Sequence, residues 1–233
     1  MCGRFTLTGP GPQELRARFG IADDVPVAQR WNIAPGQQVL ALTSGENGRP
    51  GGESLRWGLL PAWAKEAPGG RLLINARAET VAEKPSFRDA LLRHRCLIPA
   101  DGFYEWQPCS AGPKQPYWIT RADHAPFAFA GLWATWRSDH GGPELRSCAI
   151  ITTAASEQVL PIHDRMPAIL NPQDEARWLD EELADDSALA LLQPFAALEA
   201  RTVSSAVNDA RVDAPELVEP APTAEHPAMD TLF

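Results

Sequence analysis

Between Cys96 and Ala154 four strand-like runs follow one another, "CLIPADGFYEW", "PYWITRA", "PFAFAGLWATW" and "RSCAIITTA", with only short turn-forming links between them. No helical stretch separates these runs, so the βαβ alternation of a parallel sheet is excluded. Upstream, "QQVLALTS" and "ESLRWGLL" read as two more strands around the Gly/Pro/Asn-rich loop "GENGRPGG". Helical spacing is confined to short pieces. "PQELRARFG" has Gly20 as its stop, and "SFRDALLRHR" has Ser86 as N-cap after Pro85. "NPQDEARWLDEEL" and "ALALLQPFAAL" also read as helices. This pattern predicts an α+β fold: a single domain with a largely antiparallel, barrel-like β-sheet core and short flanking helices.

The 233 residues, 44% hydrophobic and 22% charged, suit one soluble domain able to bury a core. That domain is expected over residues 1–220, with a loose tail over 221–233, where "APTAEHPAMDTLF" has a disorder-like composition. No apolar run approaches the roughly 20 residues that span a bilayer, and no basic-then-apolar leader precedes the first strand. A cytoplasmic protein without membrane contact is therefore expected, as a monomer. Cys2, Cys96, Cys109 and Cys148 form no CxxC pair, and the five histidines form no HExxH. No metal site, cofactor or disulfide framework is expected. Residues 1–170 carry 18 Lys and Arg against 16 Asp and Glu, whereas residues 171–233 carry 3 against 14. The acidity thus belongs to the C-terminal quarter, and the body of the chain is free to present a basic face.

The chain opens "MCGRF". Removal of Met1 would leave Cys2 first, with an α-amine and a thiol two bonds apart. Their ordinary pKa values are about 8 and 8.5, so small shifts would arm either group. Such an aminothiol condenses with an aldehyde to an imine and then closes a thiazolidine ring, a reaction no internal cysteine can complete. The plainer alternative is a small buried cysteine behind a retained methionine.

Four further stretches place polar residues in apolar surroundings. "LINARAET" sets Asn75 and Arg77 on one side of an extended segment; Arg77 would serve equally as a salt-bridged surface residue. "DGFYEWQ" puts Glu105 between Tyr104 and Trp106. Desolvated there, its carboxyl would have a raised pKa suited to proton transfer, or else it points outward on an alternating strand. "LPIHDRMP" holds His163 and Arg165 in a loop between prolines, where a histidine is often incidental. "RWGLLPAWA" offers Trp57 and Trp63, as core residues or as platforms for a base.

The motifs "MCGRF", "RWNIAPGQ", "RWGLLPAW", "INARAET", "ADGFYEW" and "IHDRMP", in that order and with the first at the N-terminus, make the sequence resemble the SOS-response-associated peptidase family of abasic-site processing proteins. The likeness runs from Cys2 to "PELVEP" near residue 220. It implies a shield for abasic sites in single-stranded DNA, whose processed N-terminal cysteine captures the ring-opened aldehyde as a thiazolidine crosslink. By motif, Asn75 would orient Cys2, Glu105 would be the general acid and base, and His163 would stabilise the sugar oxygen or relay a proton. Arg4, Arg77, Arg165 and Thr153 would meet the DNA backbone, while Trp63, Pro35 and Trp106 would pack on bases. The resemblance also implies weak lyase activity through the same imine, and a peptidase activity limited to removal of Met1. "PAWAKE" has one tryptophan where some relatives have two, which predicts weaker stacking here.

Two other classes compete. Glutamine amidotransferases also begin Met-Cys-Gly and use the processed cysteine on an amide, but "GFYEW" and "HDRMP" have no role in that chemistry. A non-covalent single-strand binding module would need only the arginines and tryptophans.

Overall fold

The computed structural model describes residues 2–9, 11–45, 50–65, 73–110, 112–138 and 141–221. The expected tail, apart from Ala221, lies outside the described residues, as do the four middle residues, 46–49, of the "GENGRPGG" loop. Twelve strands and four short α-helices are present among the described residues, and the strands form two sheets.

The first sheet has the order β12–β8–β7–β1–β2: Leu198–Thr202, Gln115–Arg121, Gly102–Gln107, Phe5–Leu7 and Arg30–Ile33, all antiparallel. The second runs β11–β10–β4–β3–β6–β9: Arg165–Pro167, Leu145–Ala154, Pro50–Trp57, Gln38–Ser44, Arg95–Ala100 and Phe127–Trp136. Strand β9 also pairs with β10, which curls this sheet back on itself in a barrel-like fashion. β5, Asn75–Arg77, adds alongside β10. Among the described residues only β10 with β4 and with β5 pairs in parallel. The expected fold class is the one observed.

One core joins the sheets. Phe5 of β1 meets the rings of Trp57 and Phe129 edge-on at 5.2 and 5.6 Å, and Phe103 of β7 reaches Phe129 at 6.3 Å. Alternation then sends Tyr104 and Trp118 to the other face, where they pack with Val203, Val207 and Leu217 in a smaller cluster. By the same alternation Glu105 shares the core-facing side of β7 with Phe103. The outer cluster belongs to a C-terminal strap of two 3-10 turns, Ser205–Asn208 and Pro215–Val218.

Four sequence expectations need correction. The last three residues of "GENGRPGG" are not loop, because β4 begins at Pro50 and pairs there with Ser44 of β3. "CLIPADGFYEW" is two strands, because Asp101 turns its carboxylate to the N-terminal segment and accepts hydrogen bonds from Thr6, Thr8 and Gly9 at 2.6–2.9 Å. Helix α2, Arg88–Arg93, is flanked by Phe87 rather than Ser86 and has no side-chain cap. "ALALLQPFAAL" is not one helix: α4, Asp185–Ala190, stops before Pro194, and Leu198 already begins β12. Proline lacks the amide that a continuing helix needs. The other two helices stand where their spacing places them, α1 at Pro12–Phe19 with Gly20 left-handed at φ 67° behind it, and α3 at Pro172–Leu179.

Candidate active site and nucleic-acid interface

Cys2 precedes β1, which pairs with β7 through Phe5 and Phe103, and the Tyr104 amide donates to the Arg4 carbonyl at 2.9 Å. This ladder carries the N-terminus alongside Glu105. From the other sheet Asn75 reaches across, its Nδ2 donating to the Cys2 carbonyl at 2.8 Å. Asn75 Oδ1 is buried and has no hydrogen-bond partner among the described residues. Cys2 is fully buried, as are Cys96 and Cys148. Burial, reinforced by the Glu105 charge, holds its thiol far above the ordinary value. Its burial matches the plainer alternative of a small buried cysteine, and this thiol carries its proton, so a base must remove it when it reacts.

Glu105 is only 2% exposed, so the outward-pointing alternative fails. Burial raises its pKa to about 7. Near neutral pH both forms are populated, the condition for one carboxyl to give and take protons.

His163 lies in the turn between β10 and β11. Its Nδ1 accepts the Arg165 amide at 3.0 Å and stands 2.9 Å from Asp164 Oδ1. Burial lowers the ring's pKa despite that carboxylate, so the neutral form prevails. With Nδ1 accepting, the remaining proton sits on Nε2, which makes that atom a donor. Arg165 is gripped by Glu79, Nη1 to Oε1 at 2.5 Å and Nη2 to Oε2 at 3.0 Å, and also donates to the Thr152 carbonyl at 2.7 Å. Arg77, paired with Thr152 in the β5–β10 register, is exposed, whereas Thr153 is buried beside Met166.

The remaining residues lie elsewhere around β7. Arg4 is partly buried, and its Nη1 donates to Asn32 Oδ1 and to the Val207 carbonyl, both at 2.7 Å. Its guanidinium carbon is 6.0 Å from the Trp106 ring, whose Nε1 donates to Asn208 Oδ1 at 2.8 Å. Pro35 sits in the half-exposed turn after β2. Trp63 is 61% exposed, with its edge tied to the Pro85 carbonyl at 3.2 Å. It walls a cleft of about 360 Å³ that Leu92, Arg93 and His94 also line.

A profile of the "SOS response associated peptidase (SRAP)" family matches residues 1–210. The chain belongs to this family. Among SRAP relatives, the abasic site processing protein YoqW of Bacillus subtilis is 45% identical over 226 residues, 94% of this chain and 99% of its own. The abasic site processing protein HMCES of Xenopus tropicalis is 36% identical over 186 residues, 70% of this chain and 55% of its own. A protein of Bacteroides thetaiotaomicron solved by X-ray crystallography superposes with a TM-score of 0.81 at 27% identity, covering 94% of this chain and all of its own.

Within this SRAP domain seven of the eleven motif residues fall into two groups. Cys2, Asn75 and Glu105 meet at one point, with His163 and Arg165 on the β10–β11 turn. Arg4 and Trp106 lie on the strap side of the first sheet. Sequence reading missed the residues that hold these groups. Asn32 gives its amide to the Asp209 and Val212 carbonyls at 3.0 and 2.7 Å, and Asp213 accepts the Trp31 amide at 2.6 Å and pairs with Arg30. Glu79 and Gln107 were missed too, although both sit inside quoted motifs. For Gln107 the two-residue spacing from Glu105 was the available signal. No helix among the described residues is long and apolar enough to cross a membrane, and no group of three or more potential metal ligands occurs among them.

Proposed function

We propose that this protein recognises abasic sites in single-stranded DNA and captures them covalently through Cys2 once Met1 is removed. The observation that carries this reading is the meeting of Asn75 and Glu105 at Cys2, with the carboxyl poised at about pKa 7. The names of the relatives, abasic site processing proteins, supply the lesion.

An abasic sugar is a closed hemiacetal in equilibrium with an aldehyde. Ring opening moves a proton from the anomeric hydroxyl to the ring oxygen, and Glu105 suits both halves of that transfer. The Cys2 amine then adds to C1′, and the former aldehyde oxygen leaves as water, giving an imine. The thiol adds to the same carbon: the S–C bond forms, the C=N π bond opens, and the thiol proton ends on nitrogen. Because burial keeps that thiol protonated, Glu105 relays the proton. One water is lost overall. Asn75 fixes the Cys2 carbonyl and thereby the direction of its amine, and the His163 Nε2 proton suits the sugar oxygen. Arg77 and Arg165 supply positive charge for phosphates, which positions the strand without reading its sequence. The imine also acidifies C2′, so slow β-elimination of the 3′ phosphate is an expected side reaction.

The test is the intact mass of the purified protein before and after mixing with single-stranded DNA carrying one abasic site. Loss of Met1, followed by an adduct equal to protein plus DNA minus one water, is expected. A mature protein that gives no adduct while hydrolysing glutamine would support the amidotransferase alternative instead.

A further inference from the structure

Glu105 and His163 are both proposed to act on one sugar, yet they belong to different parts of the fold. Glu105 lies on β7 of the first sheet, and His163 lies on the turn that follows β10 of the second. Gln107 joins the two segments. Gln107, two residues beyond Glu105 on the same face of β7, donates from Nε2 to the Pro161 carbonyl at 2.9 Å. Its Oε1 accepts the Tyr117 hydroxyl of neighbouring β8 at 3.1 Å. The amide is therefore held at both ends, and its plane cannot rotate without losing a bond. Pro161 precedes His163 by two residues, and the Ile162 and His163 amides both close on the Val159 carbonyl, at 2.8 and 3.0 Å. A pull on the Pro161 carbonyl is thus carried to the imidazole through a single tight turn.

We infer that Gln107 is a positioning residue that sets the separation of Glu105 and His163 by tying the His163 turn to the strand that carries Glu105. Its side-chain hydrogen bonds go to Pro161 and Tyr117, and its role rests on the proposed chemistry at Glu105 and His163. Neither bond is strong alone, and the segment around Pro161 is exposed. Their value is geometric, since a misplacement of about 1 Å in a reacting constellation can cost about a hundredfold in rate.

Two measurements on Gln107→Ala decide it. In hydrogen exchange, the Ile162 and His163 amides are expected to exchange about tenfold faster than in the unaltered protein, while the β7–β8 amides keep their protection. Exchange unchanged at both amides overturns the inference, whatever the protein does to DNA. In single-turnover crosslinking, Gln107→Ala is expected to be about tenfold slower with unaltered affinity for abasic DNA, and Tyr117→Phe, which leaves the Pro161 bond in place, only about twofold slower. If Gln107 acts through His163, the defect shrinks to less than about twofold in a His163→Ala background, where there is no imidazole left to misplace. A full tenfold loss persisting in that background assigns Gln107 to general stability and overturns the inference. If the unaltered protein forms no adduct, the proposed chemistry fails, and the exchange comparison alone then decides whether Gln107 holds the turn.

Discussion

Glu105 costs the protein stability at the pH where its proposed proton transfer is most useful. Its carboxyl is raised from 4.5 to about 7 by burial. Between those values the folded state binds a proton that the unfolded chain has released, so stability falls as pH rises through that window. The difference corresponds to about 3 kcal/mol, fully expressed above pH 7 and absent below pH 4.5. Glu105→Gln removes this penalty but cannot cycle a proton. It is expected to melt higher than the parent at pH 8, with the gain vanishing toward pH 4, and to bind DNA normally. Crosslink formation and reversal are both expected to slow by about 10²–10⁴-fold, the usual contribution of a general acid–base group. Melting curves at the two pH values and single-turnover rates check the two halves separately; unchanged rates in both directions would remove Glu105 from the mechanism. Cys2 makes a different demand. Cys2→Ala is expected to retain DNA affinity and form no denaturation-resistant adduct. Cys2→Ser is expected to give none or only a labile one, because a hydroxyl closes the analogous ring less favourably. A stable adduct from mature Cys2→Ala would exclude the thiazolidine.

At the scale of elements, β7 does most to assemble the site. It pairs with β1 to carry Cys2 in, presents Glu105 and Gln107 to one side, and presents Tyr104 and Trp106 to the other. Its first residue has to be glycine. A Cβ on Gly102 would stand 2.3 Å from Trp118 Nε1 and 2.9 Å from Thr6 Oγ1, with the indole already bonded to that hydroxyl at 3.1 Å. Gly102→Ala is expected to destabilise the fold by about 1–3 kcal/mol, the range for overpacking a core, and to slow crosslinking by loosening the β1–β7 pairing. Urea unfolding measures the first effect; an unchanged midpoint would mean that Trp118 yields freely. β7 was legible from sequence because its alternation lies within one run. The same holds for β3, β4, β8, β9 and β10. By contrast β1, β2, β11 and β12 are three to five residues long. Strands so short carry no period of their own and exist because distant partners complete their hydrogen bonds. The site divides in the same way. Residues whose neighbours in sequence already restrict them, such as Glu105 among aromatics, could be argued from the chain. Ties such as Gln107 to Pro161 or Glu79 to Arg165 join segments more than 50 residues apart, and no local pattern encodes them.

For the whole molecule the division of charge takes on a structural meaning. The acidic C-terminal quarter is woven into the domain: Glu175 grips Arg18, and Asp213 binds Arg30 and the Trp31 amide. Its carboxylates therefore neutralise arginines of the body and leave fewer cations for a polyanion than the sequence count suggests. Arg77, which is exposed, and Arg165 remain on the rim formed by β5, β10 and β11. Of these, Arg165 is already held by Glu79, whose side chain is half exposed. A phosphate arriving at Arg165 must displace that carboxylate or share the guanidinium with it. Fully exposed ion pairs are worth about 0–1 kcal/mol; here only the Glu79 side is half exposed and Arg165 is 13% exposed, so the pair weakens phosphate binding at least as much. Glu79→Gln is therefore expected to tighten single-stranded DNA binding by about two- to fivefold, whereas Arg77→Ala is expected to weaken it. On a plot of log affinity against log salt, each phosphate contact to a single strand contributes a slope of about −0.7. Arg77→Ala should flatten the parent's slope by about that amount, and Glu79→Gln should steepen it if the freed Arg165 gains a phosphate. The same titrations on duplex DNA are expected to show weaker binding throughout. An affinity indifferent to salt, or a Glu79→Gln protein that binds no more tightly than its parent, would mean that the strand does not cross this rim. The basic surface guiding the DNA would then have to be sought on the side of the first sheet where Arg4 and Trp106 meet the C-terminal strap.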